Sequence, residues 1–175
     1  MARIAPLDPT NLTDEQQPVF DAIRSGPRGE VAGPLAVWLN RPTLADKAQQ
    51  LGQYCRYDSS LPPRLSELAI LVTARVWDAT FEWQSHQPPA RAAGLDDAII
   101  EALRRDEEPK FKDPTEAVVY EVSRVLNVER GISQDLYTRA ENLLGKDGLV
   151  DLIGVLGYYA LISMTIKAFD VDPIS

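Results

Sequence analysis

The segment 149–169 constrains the fold of this chain most strongly, because it is apolar on nearly every side of a helix. Its apolar positions include Leu152, Val155, Leu161 and Ile166, and no charged residue lies between Leu152 and Ile166. A helix of this composition is usually buried centrally or in a subunit interface. The uncharged stretch has 15 residues, fewer than the ~20 that a membrane span needs, so we expect no membrane partner.

The rest of the chain also has helical periodicity, without strand-like alternation of useful length. Residues 13–16 (TDEQ) have the pattern of a capping box that begins a helix, and Gly94 is placed to end one in the left-handed conformation. Pro88 and Pro89 should kink or interrupt the helix that contains them. A length of 175 residues suits one domain. We therefore predict a single all-α domain, with helices over about 13–25, 35–40, 42–57, 63–76, 80–93, 96–105, 114–129, 134–144 and 149–169.

Composition excludes several classes of function. The net charge is −8, so the chain as a whole repels a phosphate backbone and nucleic acid is not an expected partner. Cys55 and His86 are the only cysteine and the only histidine, which excludes an intrachain disulfide and a cysteine-rich metal site. Residues 1–11 contain charges and prolines but no apolar signal-peptide core. We expect a cytoplasmic protein.

Glu82 and His86 are the first candidate site residues. Four residues apart on a helix, they lie on the same face, where a carboxylate can tune an imidazole for acid–base work. The same pair also occurs on solvent-exposed helix surfaces, and two ligands are too few for a metal site, so none is predicted. Glu67 lies in the apolar stretch 65–72, and it either stabilises a helix N-terminus or points into a pocket. The sequence leaves these alternatives open.

Aromatic residues surround the same region. Trp83 lies near Trp77 and Phe81, and Tyr158 lies in the apolar last helix. These residues either pack in the core or form the wall of a pocket. Cys55 is expected to be a packing residue and not a reactive thiol, because no basic cluster surrounds it in the sequence.

Three elements together resemble a known family: Glu67, residues 82–86 (EWQSH) and residues 91–95 (RAAGL). They look like the signature region of the carboxymuconolactone decarboxylase superfamily, which includes the alkylhydroperoxidase D proteins. The resemblance extends to the last helix and covers roughly residues 40–170. It implies an all-helical alkylhydroperoxidase D-like bundle without a cofactor. It also implies homo-oligomers, as dimers, trimers or hexamers, that associate through the apolar C-terminal helix.

The same resemblance predicts two segments in the chain and argues against dithiol peroxidase activity. It predicts an N-terminal extension, 1–40, packed on the core, and a carboxymuconolactone decarboxylase-like helical domain, 41–175. The peroxidase branch of the superfamily has a Cys-x-x-Cys pair where this chain has Ala79 and Glu82. Without two thiols there is no dithiol–disulfide cycle, so peroxidase activity of that kind is not expected.

The decarboxylase branch, which lacks the cysteine pair and keeps the Glu-x-x-x-His spacing, is more similar. It implies a cofactor-independent lyase that removes carbon dioxide from a small carboxylated lactone, such as 4-carboxymuconolactone or a related acid. In this interpretation His86 carries the proton, and Glu82 or Glu67 orients or tunes it. The alternatives are a family member that has lost dithiol peroxidase chemistry and a non-catalytic ligand-binding oligomer. The substrate-binding candidates are Arg64, Arg75, Trp83 and Tyr158.

Overall fold

The computed structural model describes residues 2–5 and 7–172, and within them the chain is all-α, as predicted. A π-helical turn, Tyr54–Asp58, follows the third helix. The α-helices are α1 (Gln16–Ser25), α2 (Pro34–Trp38), α3 (Pro42–Gln53), α4 (Pro63–Val76), α5 (Thr80–Ala92), α6 (Asp97–Arg104), α7 (Pro114–Val128) and α8 (Gln134–Phe169).

Helix α4 is the centre of the fold. Every residue from Leu65 to Ala74 is buried, so this stretch presents no side to solvent. Helices α5, α7 and α8 pack around it, and Leu68, Ile70 and Leu71 are fully inaccessible. The apolar run in α4 therefore marks a helix that is surrounded by its neighbours.

Helix α8 buries one side and exposes the other. Leu152 and Val155 are fully buried, whereas Val150 is 69% exposed and Ile153 is also exposed. The central position that the sequence suggested for segment 149–169 thus belongs to α4. Within the described residues, α8 is the one helix whose length and composition would allow it to cross a membrane, but 61% of its apolar window is buried in the fold. A helix that is buried in the core of a protein has the same apolar composition as a membrane-spanning helix.

Helix ends follow the local signals in the sequence. The capping box is confirmed, because the Gln16 amide donates to Thr13 Oγ1 at 3.2 Å and the Thr13 amide donates to Gln16 Oε1 at 3.0 Å. Gly94 has φ 86°, the left-handed conformation predicted for it. Gly145, with φ 70° and ψ 174°, breaks α8 into two helical parts, and the predicted interruption between residues 144 and 149 is confirmed.

The proline pair does not end its helix. Helix α5 contains both Pro88 and Pro89 and continues to Ala92, with the Ala93 amide donating to the Pro89 carbonyl at 2.8 Å. Neither proline has an N–H to donate, so the helix lacks the corresponding hydrogen bonds, as the sequence predicted. The helix nevertheless continues through both residues.

The N-terminal segment shares the hydrophobic core of the rest of the chain. Ile23 in α1 and Trp38 in α2 are buried in the same apolar cluster as α4 and α8. The Trp38 indole donates to Thr165 Oγ1 at 2.9 Å, and the Arg3 amide donates to the Phe169 carbonyl at 2.8 Å. These contacts attach the N-terminal segment to α4 and α8.

Candidate active site

His86 lies between two carboxylates in the interior of the protein. Its Nδ1 is 2.7 Å from Glu67 Oε2, and its Nε2 is 2.8 Å from Glu82 Oε1. The exposed fractions are only 3% for His86, 6% for Glu67 and 5% for Glu82. A protonated imidazole donates to both glutamates at once, and these charge-assisted bonds are the strong kind. The interpretation of Glu82 and His86 as a solvent-exposed helix pair is therefore wrong, and so is that of Glu67 as a surface carboxylate.

Two helices bring the three residues together. Glu67 lies on the fully buried stretch of α4, and Glu82 and His86 lie one turn apart on α5. Because α5 packs along α4, the α5 face that carries Glu82 and His86 meets Glu67. The helical spacing of Glu82 and His86 could be read from the sequence, whereas the contact with Glu67, 19 residues away, depends on helix packing.

The glutamates set the charge of His86. Burial by itself would lower the pKa of His86, but the hydrogen bonds and negative charges of Glu67 and Glu82 outweigh it and raise that pKa above the ordinary 6.5. The cluster therefore holds its proton to a higher pH than a free imidazole does. A single proton shared by one imidazole and two carboxylates is suitable equipment for general acid–base chemistry.

Tyr159 packs edge-on against the imidazole, with 5.0 Å between the ring centres. Its hydroxyl is buried and has no hydrogen-bond partner within the described part of the chain. Burial raises the pKa of Tyr159 well above 10, so the phenol is neutral. The ring fixes the orientation of His86, while the hydroxyl contributes no bond to the cluster.

A cavity of about 660 Å³ opens beside the cluster. Glu82 and His86 line it, whereas Glu67 lies behind His86 and does not. Both ring nitrogens of His86 are bonded to carboxylates, and Glu82 is the one of the two glutamates that lines the cavity. The cavity also contains two cationic side chains, Arg28 and Arg56.

Arg28 is fixed against the wall of this cavity. Its Nη2 donates to Tyr158 Oη at 3.3 Å. Both groups pass directly over Gly52, where an added Cβ would collide with Tyr158 Oη and Arg28 Nη2. Burial raises the pKa of Tyr158 to about 12, so this phenol is also neutral. Gly52 thus makes room for a close contact between the loop after α1 and helix α8.

Of the predicted substrate-binding residues, one lines the cavity and the other three lie elsewhere. Tyr158 lines the cavity. Arg64 instead pairs with Glu116 and with Asp113, the latter at 2.9 Å, at the start of α7. Arg75 lies 3.8 Å from Asp106, and both Arg75 and Trp83 line a different depression on the other side of α5.

Arg28 and Arg56 were missed by the sequence analysis. Arg28 lies in a loop rich in glycine and proline, and Arg56 lies in a turn with irregular helical geometry. Neither position has a periodicity that would place it beside Glu82, so no signal in the sequence pointed to them.

Thiol and metal chemistry have little support in the geometry. Cys55 is buried, and burial raises the pKa of its thiol to about 11, which keeps it protonated and unreactive. Within the described residues, no group of three or more His, Cys, Asp or Glu side chains is arranged to bind a metal ion.

Solved structures share this arrangement of helices at low sequence identity. The debrominase Bmp8 in complex with 2,3,4-tribromopyrrole is similar over 100% of this chain and 95% of its own, with a TM-score of 0.79 and 11% identity. An uncharacterized peroxidase-related protein from Silicibacter sp. TM1040 is similar over 99% and 92%, with a TM-score of 0.78 and 14% identity. The protein ATU0492 from Agrobacterium tumefaciens, whose name links it to the antioxidant defence protein AhpD, is similar over 79% and 96%, with a TM-score of 0.67 and 17% identity.

The chain has the alkylhydroperoxidase D-like fold. The expected fold is thereby confirmed. No protein-family model matches the sequence, and no curated protein sequence matches it significantly. At these identities the likeness concerns the fold alone, and the chemistry has to be argued from the residues of this chain.

Proposed function

We propose that this chain is a cofactor-independent acid–base enzyme that decarboxylates a small carboxylated lactone, such as 4-carboxymuconolactone, or a related acid. The observation that carries the proposal is a buried imidazole bonded to two carboxylates, at 2.7 and 2.8 Å, on the wall of a cavity that also contains arginines. Such a cluster stores a proton in a site that is shielded from water.

Glu82 is the group that exchanges the proton with substrate in this proposal. His86 cannot reach a ligand with a free ring nitrogen, because Glu67 occupies Nδ1 and Glu82 occupies Nε2. His86 therefore passes the proton to Glu82, and Glu67 fixes the imidazole from behind. This assignment changes the sequence-based role of His86 from direct proton donor to relay.

The substrate itself accepts the electrons of the reaction. The bond between the ring carbon and the carboxylate breaks, and its electron pair moves through the conjugated alkene to the lactone carbonyl while carbon dioxide leaves. The resulting dienolate then takes one proton from Glu82 at carbon. Protonation from a positioned acid contributes about 10²–10⁴-fold to such steps, and no external oxidant or reductant is needed.

A product assay with matched variants tests the proposal. We would incubate the protein with 4-carboxymuconolactone and related lactone acids, and follow substrate by NMR and carbon dioxide by gas analysis. Glu82→Gln should lower turnover by about 10²–10⁴-fold, while Glu129→Gln, the same change at an exposed position outside the cavity, should have wild-type turnover. Undiminished turnover in Glu82→Gln would remove this carboxylate from the mechanism.

A member of this fold without dithiol peroxidase chemistry, or a ligand-binding oligomer without turnover, is the competing proposal. Its support is the likeness to a peroxidase-related structure together with Ala79 and Glu82 in place of two thiols. Binding of a lactone acid without release of carbon dioxide would favour it. Thiol-dependent consumption of a hydroperoxide that is lost in Cys55→Ala would instead return redox chemistry to this chain.

We also propose that the protein self-associates through α8. The support is the exposed apolar side of this helix, which includes Val150, Ile153, Leu161 and Met164. Light scattering after size-exclusion chromatography should give a mass of at least two protomers. Ile153→Lys should reduce that mass, and Asn142→Lys, on the exposed side of the first part of α8, should not. A one-protomer mass for the wild type would contradict the proposal.

A further inference from the structure

Two arginines reach the cavity from outside the acid–base cluster. Arg28 comes from the loop between α1 and α2, and Arg56 comes from the π-helical turn after α3. Neither guanidinium forms an ion pair with any described residue, although the carboxylates of Glu30 and Glu82 line the same cavity. The positive charges of the two arginines are therefore available to a ligand.

Neutral groups hold both arginines in place. Arg28 donates to Tyr158 Oη at 3.3 Å. The Arg56 guanidinium lies over the ring of Tyr57, 5.3 Å from its centre, in a cation–π contact. Aromatic partners orient a guanidinium without neutralising it, so two positioned positive charges remain in the cavity.

The turn that carries Arg56 is fixed at both ends by one buried carboxylate. Asp151 accepts hydrogen bonds from Tyr54 Oη at 2.6 Å, from the Ser60 amide at 2.7 Å and from Ser60 Oγ at 2.6 Å. Burial would raise the pKa of Asp151, but these bonds lower it below the ordinary 3.8. Asp151 is thus ionised near neutral pH and holds the turn in one geometry.

We infer that Arg28 and Arg56 form the anion subsite for the carboxylate that the substrate retains, which in 4-carboxymuconolactone is the side-chain carboxylate. The inference rests on the proposed function. Pairing the departing carboxylate with two cations would stabilise the ground state more than the transition state, since carbon dioxide leaves uncharged. Bonds to a retained carboxylate persist through the reaction, orient the substrate, and offset its repulsion from Glu82.

This inference gives the N-terminal extension a role in the site. Pro27, Arg28 and Glu30 belong to the loop after α1, and all three line the cavity. A Cβ on Gly33, which has φ 55°, would collide with the Phe81 ring, another part of the cavity wall. The loop therefore forms one wall of the cavity and supplies half of its positive charge.

A binding experiment tests the subsite without turnover. The probe is muconolactone, a butenolide that has one carboxylate and no second one to lose, and its neutral methyl ester is the matched ligand. We would measure both by calorimetry with the wild type, Arg28→Gln, Arg56→Gln and Arg24→Gln. Arg24 is an exposed residue on α1 outside the cavity, so its variant makes the same change in net charge. Circular dichroism checks each fold, and Arg28→Lys keeps the charge if Arg28→Gln does not fold.

The expected result is a pattern across ligands and variants. Arg28→Gln and Arg56→Gln should each weaken acid binding about tenfold or more, Arg28→Lys by less, and Arg24→Gln by less than about twofold. The methyl ester should bind weakly and equally to all. Wild-type protein that binds the ester as well as the acid, or that binds neither, would overturn the inference, as would unchanged acid affinity in both glutamine variants.

Turnover separates this inference from the proposed function. Release of carbon dioxide from 4-carboxymuconolactone with an unchanged KM in Arg28→Gln and Arg56→Gln would overturn the subsite and leave the decarboxylase intact. Arginine-dependent binding of the acid without any release of carbon dioxide would support the anion subsite and refute the decarboxylase.

Discussion

Replacing His86 by alanine should destabilise the protein strongly without unfolding it. The variant leaves Glu67 and Glu82, each less than one-tenth exposed, on either side of an empty space. Breaking a buried ion pair by removing one partner costs about 3–5 kcal/mol, because the remaining charge has no compensation. Since a domain of this kind has a total stability of about 5–15 kcal/mol, most molecules should remain folded in native buffer at a much lower urea midpoint.

Urea unfolding followed by tryptophan fluorescence measures this loss. Ser85→Ala is the control, with an expected change below about 0.5 kcal/mol. Adding Glu82→Gln to His86→Ala should recover part of the stability, because it removes one of two facing negative charges. A loss below about 1 kcal/mol in His86→Ala, or a further loss in the double variant, would refute the argument that ion pairs between His86 and the two buried glutamates stabilise the fold.

The same ion pairs predict the direction in which the stability of the protein changes with pH. The pKa of His86 is raised in the folded state above its ordinary 6.5. His86 therefore contributes its full stabilisation below pH 6.5, and this is lost as pH rises through the folded-state pKa. The other resolved pKa shifts concern carboxyl groups below pH 5, phenols above pH 10, the Cys55 thiol at about 11, and the Arg139 guanidinium, whose pKa is raised further above the neutral range. A fall in the wild-type urea midpoint as the pH rises above 6.5 that is absent from His86→Ala would match this expectation, and equal slopes in both proteins would contradict it.

Three further predictions concern the surroundings of the cluster. Tyr159→Phe should not lower the urea midpoint, since the hydroxyl it removes is buried without a partner, a situation that costs about 1–3 kcal/mol; a clear loss would reveal a missing bond. Gly52→Ala should cost about 1–3 kcal/mol through overpacking against Tyr158 and Arg28, measured as a lower thermal midpoint, and an unchanged midpoint would show that the loop moves freely. Cys55→Ala should keep wild-type turnover, and mass spectrometry should find Cys55 unmodified by iodoacetamide at pH 8, because its pKa is about 11; rapid labelling of the folded protein would contradict that value.

Local patterns were enough to predict most of the helices. The capping box at Thr13, the turn at Gly94 and the break at Gly145 all depend on residues within a few positions of one another, and all lie where the sequence indicated. The positions of helices relative to one another are a different problem. Segment 149–169 and helix α4 are both strongly apolar, and only packing decides that α4 is surrounded while α8 keeps an exposed side.

The same distinction explains which site residues could be predicted. Glu82 and His86 share a helix face by spacing alone, and Glu67 was a candidate because it lies in an apolar stretch and matches the family that the sequence resembles. Arg64, three residues before Glu67, was a reasonable candidate for a substrate carboxylate, but Asp113 and the nearby Glu116 at the start of α7 bind it instead. Competition from a distant acidic pair has no local signal in the sequence around an arginine.

Position 82 is one of the two places where this chain departs from the cysteine pair of the peroxidase branch, the other being Ala79. The peroxidase branch that this chain resembles has a thiol at this position, and a thiol pair exchanges electrons through a disulfide. A carboxyl group cannot do that, but bonded to His86 at 2.8 Å and facing the cavity it can exchange a proton. In the proposed mechanism, Glu67 and His86 supply that proton from the buried side of the cluster. In the proposed mechanism the proton reaches the substrate through the residue at position 82, which is why Glu82→Gln, a change that keeps the shape of the side chain and removes its charge, is the most informative single variant of this protein.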